Sequence, residues 1–244
     1  MRLRRKSVLC VFAHPDDEAF GPGGTIAKLA KRHRVYLLAA TKGQAGKDRG
    51  RRATRDLARR RATELRASAK ILGVRKVFFL GFADGALSNN LYHRLAASIE
   101  RYARRFRPEV FMTHEPRGGS GHLDHIAVSM AVSYVFERLP FVRALLYSCL
   151  RAERARALRK GYFIYVPPGY RRSEIDLRVD TRDVWEQRVE AMQAHASQSH
   201  DLKRILRFAE RFPKEENFLV LLKGARAGLG RAARGAAARR MLGL

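Results

Sequence analysis

Two stretches of this chain concentrate side chains able to do chemistry. The first reads Ala13-His14-Pro15-Asp16-Asp17-Glu18, one imidazole and three carboxylates within five residues. Clustered carboxylates repel one another unless a cation or a proton sits among them. The second runs from Thr113 to His125 and ends Gly118-Gly119-Ser120-Gly121-His122-Leu123-Asp124-His125. His122 and His125 are three apart at a helix start, so both face one side of the first turn. The glycines before them let the backbone pass close to a ligand. Each stretch alone also reads as a capped helix start, with an Asp as N-cap or at the positive dipole end. Together they supply two histidines and an aspartate with a fourth position open, the pattern of a catalytic rather than a structural zinc. The remaining acids and histidine are then free to move protons.

Such a site requires elements that bring residue 14 to residue 125. Val8–Ala13, Val35–Ala40, Lys76–Phe82, Glu109–Thr113 and Arg143–Leu150 read as strands. Between them, Thr25–Ala30, Arg51–Leu72, Leu91–Phe106 and Leu123–Leu139 read as helices, closed by Gly73 and Pro108 where a stop is needed. Alternation of this kind predicts a Rossmann-like α/β fold, a mostly parallel sheet with helices on both faces. In such sheets ligands bind beyond the carboxyl ends of the strands, where both loaded stretches fall. Past Gly161, Tyr162–Val166 and Glu174–Val179 read as strands around a Pro167-Pro168-Gly169-Tyr170 turn. A helix over Asp183–His195 and a last strand at Phe218–Leu222 follow. The expected organisation is one domain over 1–223, core 7–150 with a cap and closing elements over 151–223, and a basic, flexible tail over 224–244.

In these motifs the chain resembles the LmbE-like, or PIG-L, deacetylases. AHPDDEAFGPGGTIAKLA, TKGQAGKDRG, RATELRASAKILGV, Asp84-Gly85, RPEVFMTHEPRGGSGHLDHIAVS and AMQAHASQ carry the resemblance, in order, over roughly Val8 to Gln198. The resemblance implies removal of the N-acetyl group from an N-acetylglucosamine-type conjugate by a zinc-dependent amidohydrolase. It implies one divalent ion per chain, zinc or iron, held by His14, Asp17 and His125. Asp16 would be the general base, and His122 the cationic partner that steadies the oxyanion and protonates the leaving amine. Asp124 would orient a neighbouring histidine and keep it charged. Arg61 and Asp84 would contact the sugar, and His195 is carried over as a further substrate residue. Two departures stand out: Leu123 replaces a frequent proline, and Ser120 stands where some members carry a tyrosine that polarises the carbonyl.

Lys and Arg number 50 against 23 acids, a formal charge of +27. Such a surface attracts polyanions, so an anionic lipid or a phosphorylated substrate joins the acetylated amino sugar among the expected partners, as does a second copy of the chain. The alternative function is a nucleic-acid or membrane-surface binder with an incidental metal site. A dinucleotide site is excluded at Gly21-Pro22-Gly23-Gly24, because the third glycine of the motif would fall at Ile26. No apolar run approaches the roughly 18–20 residues of a membrane span. The basic start lacks a small-residue cleavage site, so the expected address is cytoplasmic, with peripheral membrane contact through the basic face. Cys10 and Cys149 read as buried, reduced thiols. His33 and His93 read as solvated, His114 and His200 receive no role although His114 ends a strand in the crevice, and Tyr162, Phe163, Tyr165 and Trp185 read as packing aromatics.

Overall fold

The computed structural model describes residues 4–46, 56–160, 162–199, 202–203, 206–207, 211–226 and 228–244. Strands β1 (Ser7–Phe12), β2 (Arg34–Ala39), β3 (Lys76–Phe79), β4 (Val110–His114) and β5 (Ala144–Cys149) run parallel. Strand β7 (Glu215–Leu222) pairs antiparallel with β5 and with β6 (Leu177–Asp180). The sheet has seven strands in the order β3-β2-β1-β4-β5-β7-β6. This is the Rossmann-like α/β architecture expected from the alternation of elements. The chain order reverses between β1 and β4, so their carboxyl ends open the crevice that such sheets use for ligands.

Strand β1 is buried along its whole length because both faces of the sheet are covered. Its Val8, Cys10 and Phe12 join the core under α2 (Gly23–Ala30), α3 (Leu57–Ile71) and α7 (Trp185–Gln193). Its Leu9, Val11 and Ala13 join the core under α4 (Tyr92–Phe106) and α5 (Leu123–Arg138). Two short helices complete this part, α1 (Asp17–Phe20) and α6 (Ala152–Arg159). Both cysteines are buried and free. The part of the expected Arg51–Leu72 helix before Asp56 lies outside the described residues.

Three expectations are corrected. Residues 162–166 form no strand. The run joins neither free edge of the sheet, β3 or β6; its backbone lies instead against Gly121 and accepts from Arg159 at Val166. Its Phe163 and Tyr165 are each 74% exposed and do not pack in a core. Second, Arg231–Leu242 is a docked helix, α8, where a flexible tail was expected. Gly235 permits the docking: a Cβ there would collide with the backbone of Asp176. Ala237, Ala238 and Leu242 are buried, and Arg234 pairs with Asp176 at 3.0 Å. Third, His33 is buried rather than solvated, its Nε2 meeting the Leu242 carbonyl at 3.0 Å. Arg231, Arg239 and Arg240 are exposed on a helix whose Gly235, Ala237 and Ala238 are buried.

Candidate active site

The HPDDE stretch follows β1 directly, and its backbone sets where each carboxyl points. Asp16 adopts φ 110°, ψ −27°, one of two non-glycine residues with positive φ among those described. Such a conformation costs about 1–3 kcal/mol and persists only where its surroundings enforce it. Here Glu18 Oε2 accepts the Asp16 N–H at 3.1 Å, while Arg61 donates to the Pro15 carbonyl at 2.6 Å and to Asp16 Oδ2 at 2.8 Å. The turn sends Asp17 towards β4 and Glu18 the opposite way, towards α3 and residue 195.

The β4 loop is shaped by Glu115. Its carboxylate accepts from Arg117 N at 2.8 Å, Gly119 N at 2.7 Å and the Tyr170 hydroxyl at 2.6 Å. Gly118 takes a positive φ of 73° in this turn, and its carbonyl accepts the Nδ1–H of His125 at 3.0 Å. His125 therefore presents Nε2 as a bare lone pair. On the other side His14 donates Nε2–H to Asp84 at 2.9 Å and to Asp124 at 3.2 Å, which leaves Nδ1 facing inwards.

The inward atoms converge. His14 Nδ1 lies 3.1 Å from His125 Nε2, the Asp17 carboxylate lies 3.3 Å from His125 Nε2, and its other oxygen lies 3.7 Å from His14 Nδ1. With both rings neutral, three acceptors meet without a donor, an arrangement that only a cation or an extra proton reconciles. Zinc bonds of about 2.0–2.2 Å in a tetrahedron place ligands about 3.4 Å apart, so the donor set fits a zinc ion. His114 braces the set from behind: its Nε2 donates to Asp17 at 3.2 Å, and its ring stacks on His125 at 3.9 Å.

With no cation bound, the charge states put that extra proton on His14. Burial would favour a neutral Asp17, but His125 and His114 outweigh it and hold the carboxyl well below its usual range. Burial, opposed by Asp17, keeps His125 neutral. Burial also disfavours charge on His14, yet its bonds to Asp124 and Asp84 prevail and raise it to about 10. Asp16 rises to about 7, chiefly by burial, against the pull of Arg61.

Other sequence-predicted residues take different places from those expected. Asp124 accepts from Gly85 N at 2.8 Å and Leu87 N at 3.1 Å, and the histidine it orients is His14, not His122. His122 accepts the Asp124 N–H on Nδ1 at 3.1 Å, and burial together with His14 lowers its pKa. Asp124 thus does not keep His122 charged. Arg61 is buried against Asp16, Pro15 and Gly43, and Asp84 is held by His14 and the Ala45 N–H. His195 is fully buried on Glu18, out of reach of any substrate. Ser120 Oγ is buried with no hydrogen-bond partner. Sequence reasoning gave Glu18, Glu64, Ser68 and Glu115 no part. Only the excess of acids in HPDDE hinted at Glu18.

The comparisons with known proteins point the same way. The family model described as PIG-L: GlcNAc-PI de-N-acetylase matches residues 9–136. A diacetylchitobiose deacetylase of Thermococcus kodakarensis is 36% identical over 201 residues, covering 79% of this chain and 70% of the relative. A 1D-myo-inositol 2-acetamido-2-deoxy-alpha-D-glucopyranoside deacetylase of Mycobacteroides abscessus is 30% identical over 234 residues, covering 80% and 82%. The solved N,N'-diacetylchitobiose deacetylase from Pyrococcus horikoshii aligns at a TM-score of 0.64 and 25% identity, over 89% of this chain and 84% of that one. The 4-carboxy-2-hydroxymuconate hydratase GalB from Pseudomonas putida aligns at 0.67 with 20% identity, over 92% and 100%. That last likeness is one of fold alone, and function rests on the site. By the family match and by the identity of its relatives, this chain belongs to the PIG-L family.

Proposed function

We propose that the chain hydrolyses the N-acetyl group of an N-acetylglucosamine-type conjugate, releasing acetate and the free amino sugar, and does so with a divalent ion. The convergence of His14 Nδ1, Asp17 and His125 Nε2 within 3.1–3.7 Å of one another is the observation that carries this reading. Zinc supplies Lewis acidity at such a site, making water nucleophilic near neutral pH; iron(II) suits the same donors.

The protein's own groups then move the protons. Asp16, at about 7, is poised to take a proton from the attacking water. Arg61 fixes its orientation at 2.8 Å. His122 accepts a backbone N–H on Nδ1, so its neutral form carries its proton on Nε2 and can donate a hydrogen bond to the developing oxyanion. Because His122 is held neutral by burial, Asp16 is the better placed of the two to return a proton to the departing amine.

The sugar contacts carried over for Arg61 and Asp84 act through Asp16 and His14 in this reading. No helix among the described residues is long and apolar enough to cross a membrane. The test is metal analysis together with an amine-release screen over N-acetylglucosamine conjugates. Release that chelator abolishes and zinc restores is the expected result. A metal-loaded chain inert on every acetylated amino sugar overturns the proposal.

A further inference from the structure

His122 stands between two environments. Its ring centroid lies 4.7 Å from that of His14 in the ligand cluster and 6.3 Å from that of Phe163 on the other side. Beyond it opens a cavity of about 460 Å³, to which Gly85, Leu123, Ile126, Ile164, Tyr165 and Pro167 contribute walls. Of its walls Leu123 is 75% and Tyr165 74% exposed, and Phe163, 74% exposed, stands outside the lining beside the His122 ring. Large apolar side chains gathered in the open mark a contact surface.

The segment that carries Tyr165 is held in place. The Tyr165 carbonyl and the Pro167 ring press on Gly121, where a Cβ would collide with both. Arg159 Nε donates to the Val166 carbonyl at 2.9 Å, and Arg117 donates to the Pro168 carbonyl at 2.9 Å. The Arg159 guanidinium also lies 5.9 Å from the Tyr165 ring centre. Two arginines of a strongly basic chain are thus spent on the loop that carries the aromatics.

We propose that Leu123, Phe163 and Tyr165 form a subsite for an apolar, ring-bearing aglycone, an inference that rests on the deacetylase reading above. In a 2-acetamido sugar the reacting nitrogen is on one carbon and the aglycone on the next. A nitrogen within reach of His122 therefore delivers the aglycone to the cavity that His122 borders. His122 and Asp124 are the polar side chains of a lining otherwise made of leucine, isoleucine, tyrosine, proline and glycine, so a polyol or a carboxylate would find few polar partners there. A flat apolar group finds two aromatic faces and a leucine, and hides all of them from water.

The zinc-loaded enzyme tests this by amine release from the methyl and phenyl glycosides of N-acetylglucosamine, in both anomeric forms. The expected result is a kcat/KM about tenfold higher for one phenyl glycoside than for its methyl counterpart, about 1.4 kcal/mol, carried mainly by KM. In the double variant Phe163→Ala, Tyr165→Ala the phenyl-to-methyl ratio falls to about two or below. Both residues are exposed, and a thermal melt confirms that the variant folds. Equal kcat/KM for the two glycosides, or a preference that survives the double substitution, overturns the subsite. So does a larger gain from lengthening the N-acyl chain on the methyl glycoside, which would place the acyl group in this cavity. Amine release from none of the glycosides defeats the deacetylase reading itself, and the subsite with it.

Discussion

Among the described residues, histidine and carboxylate meet in two places, one on each side of the HPDDE turn, and the two differ in their chemistry. Behind the turn, Glu18 and His195 are both fully buried. Glu18 Oε1 accepts from Ser68 Oγ at 2.5 Å and from His195 Nε2 at 2.7 Å, and Oε2 accepts the Asp16 N–H at 3.1 Å. Next to it, Glu64 accepts from Ser197 N at 2.9 Å and Ser197 Oγ at 2.6 Å. Each of these carboxylate oxygens has its donor, while His195 Nδ1, also buried, has no hydrogen-bond partner among the described residues. In front of the turn, His14, Asp17 and His125 turn acceptors towards one another. Residue type and burial do not separate the two clusters. The surroundings of the carboxylates do: where every oxygen meets a donor the pair is structure, and where acceptors face one another a cation is called for.

If that contrast is right, substitutions in front should remove chemistry and leave the fold. The largest effect belongs to His125→Ala, which should bring zinc per chain close to zero and amine release below detection. Asp16→Ala should lower kcat by about 10²–10⁴-fold, the usual range for a lost general base, with about one zinc per chain retained by elemental analysis. Loss of zinc in the Asp16 variant would move Asp16 among the ligands and take the base assignment with it.

Behind the turn the expected loss is of stability. Glu18→Ala strands His195 and Ser68 in the interior and removes the acceptor that holds Asp16 at positive φ. Breaking a buried pair in this way costs about 3–5 kcal/mol, readable as a shift in the urea midpoint of the zinc-loaded protein. Folded Glu18→Ala should still bind zinc. A variant that melts like the parent but has lost its metal would make the two clusters one site.

The fold was legible because strand and helix periodicities alternate cleanly, and because Gly73 and Pro108 punctuate them. The ligand crevice followed from topology. The HPDDE acids were harder to sort. Three carboxyls in a row carry no sign of which faces the metal, because the division between Asp17 and Glu18 is made by the backbone twist at Asp16. His195 could not be placed either, since its partner is 177 positions away. The tail misled for a specific reason: glycine is a poor helix former in isolation, yet Gly235 is what lets α8 approach the Asp176 backbone. Residues 162–166 misled the other way: an unbroken apolar run reads as a strand, yet it joins no ladder and leaves Phe163 and Tyr165 exposed.

The smallest effect expected from the contrast is one of pH. Burial alone would keep His195 neutral, but Glu18 facing its Nε2 outweighs burial and raises its pKa above 6.5. The folded chain therefore keeps a proton on His195 that the unfolded chain gives up as pH rises past about 6.5. Stability from this source is complete below that value and is lost as pH climbs through the folded pKa. His195→Gln preserves a donor for Glu18 and removes the titration. The difference in unfolding free energy between parent and variant, measured at equal zinc from about pH 5 to 9, should be greatest at the acid end and shrink towards the alkaline end. A difference independent of pH would mean that His195 is neutral in the fold. Glu18 would then be a charge held by hydrogen bonds alone, and the rear cluster would be less closed than its geometry implies.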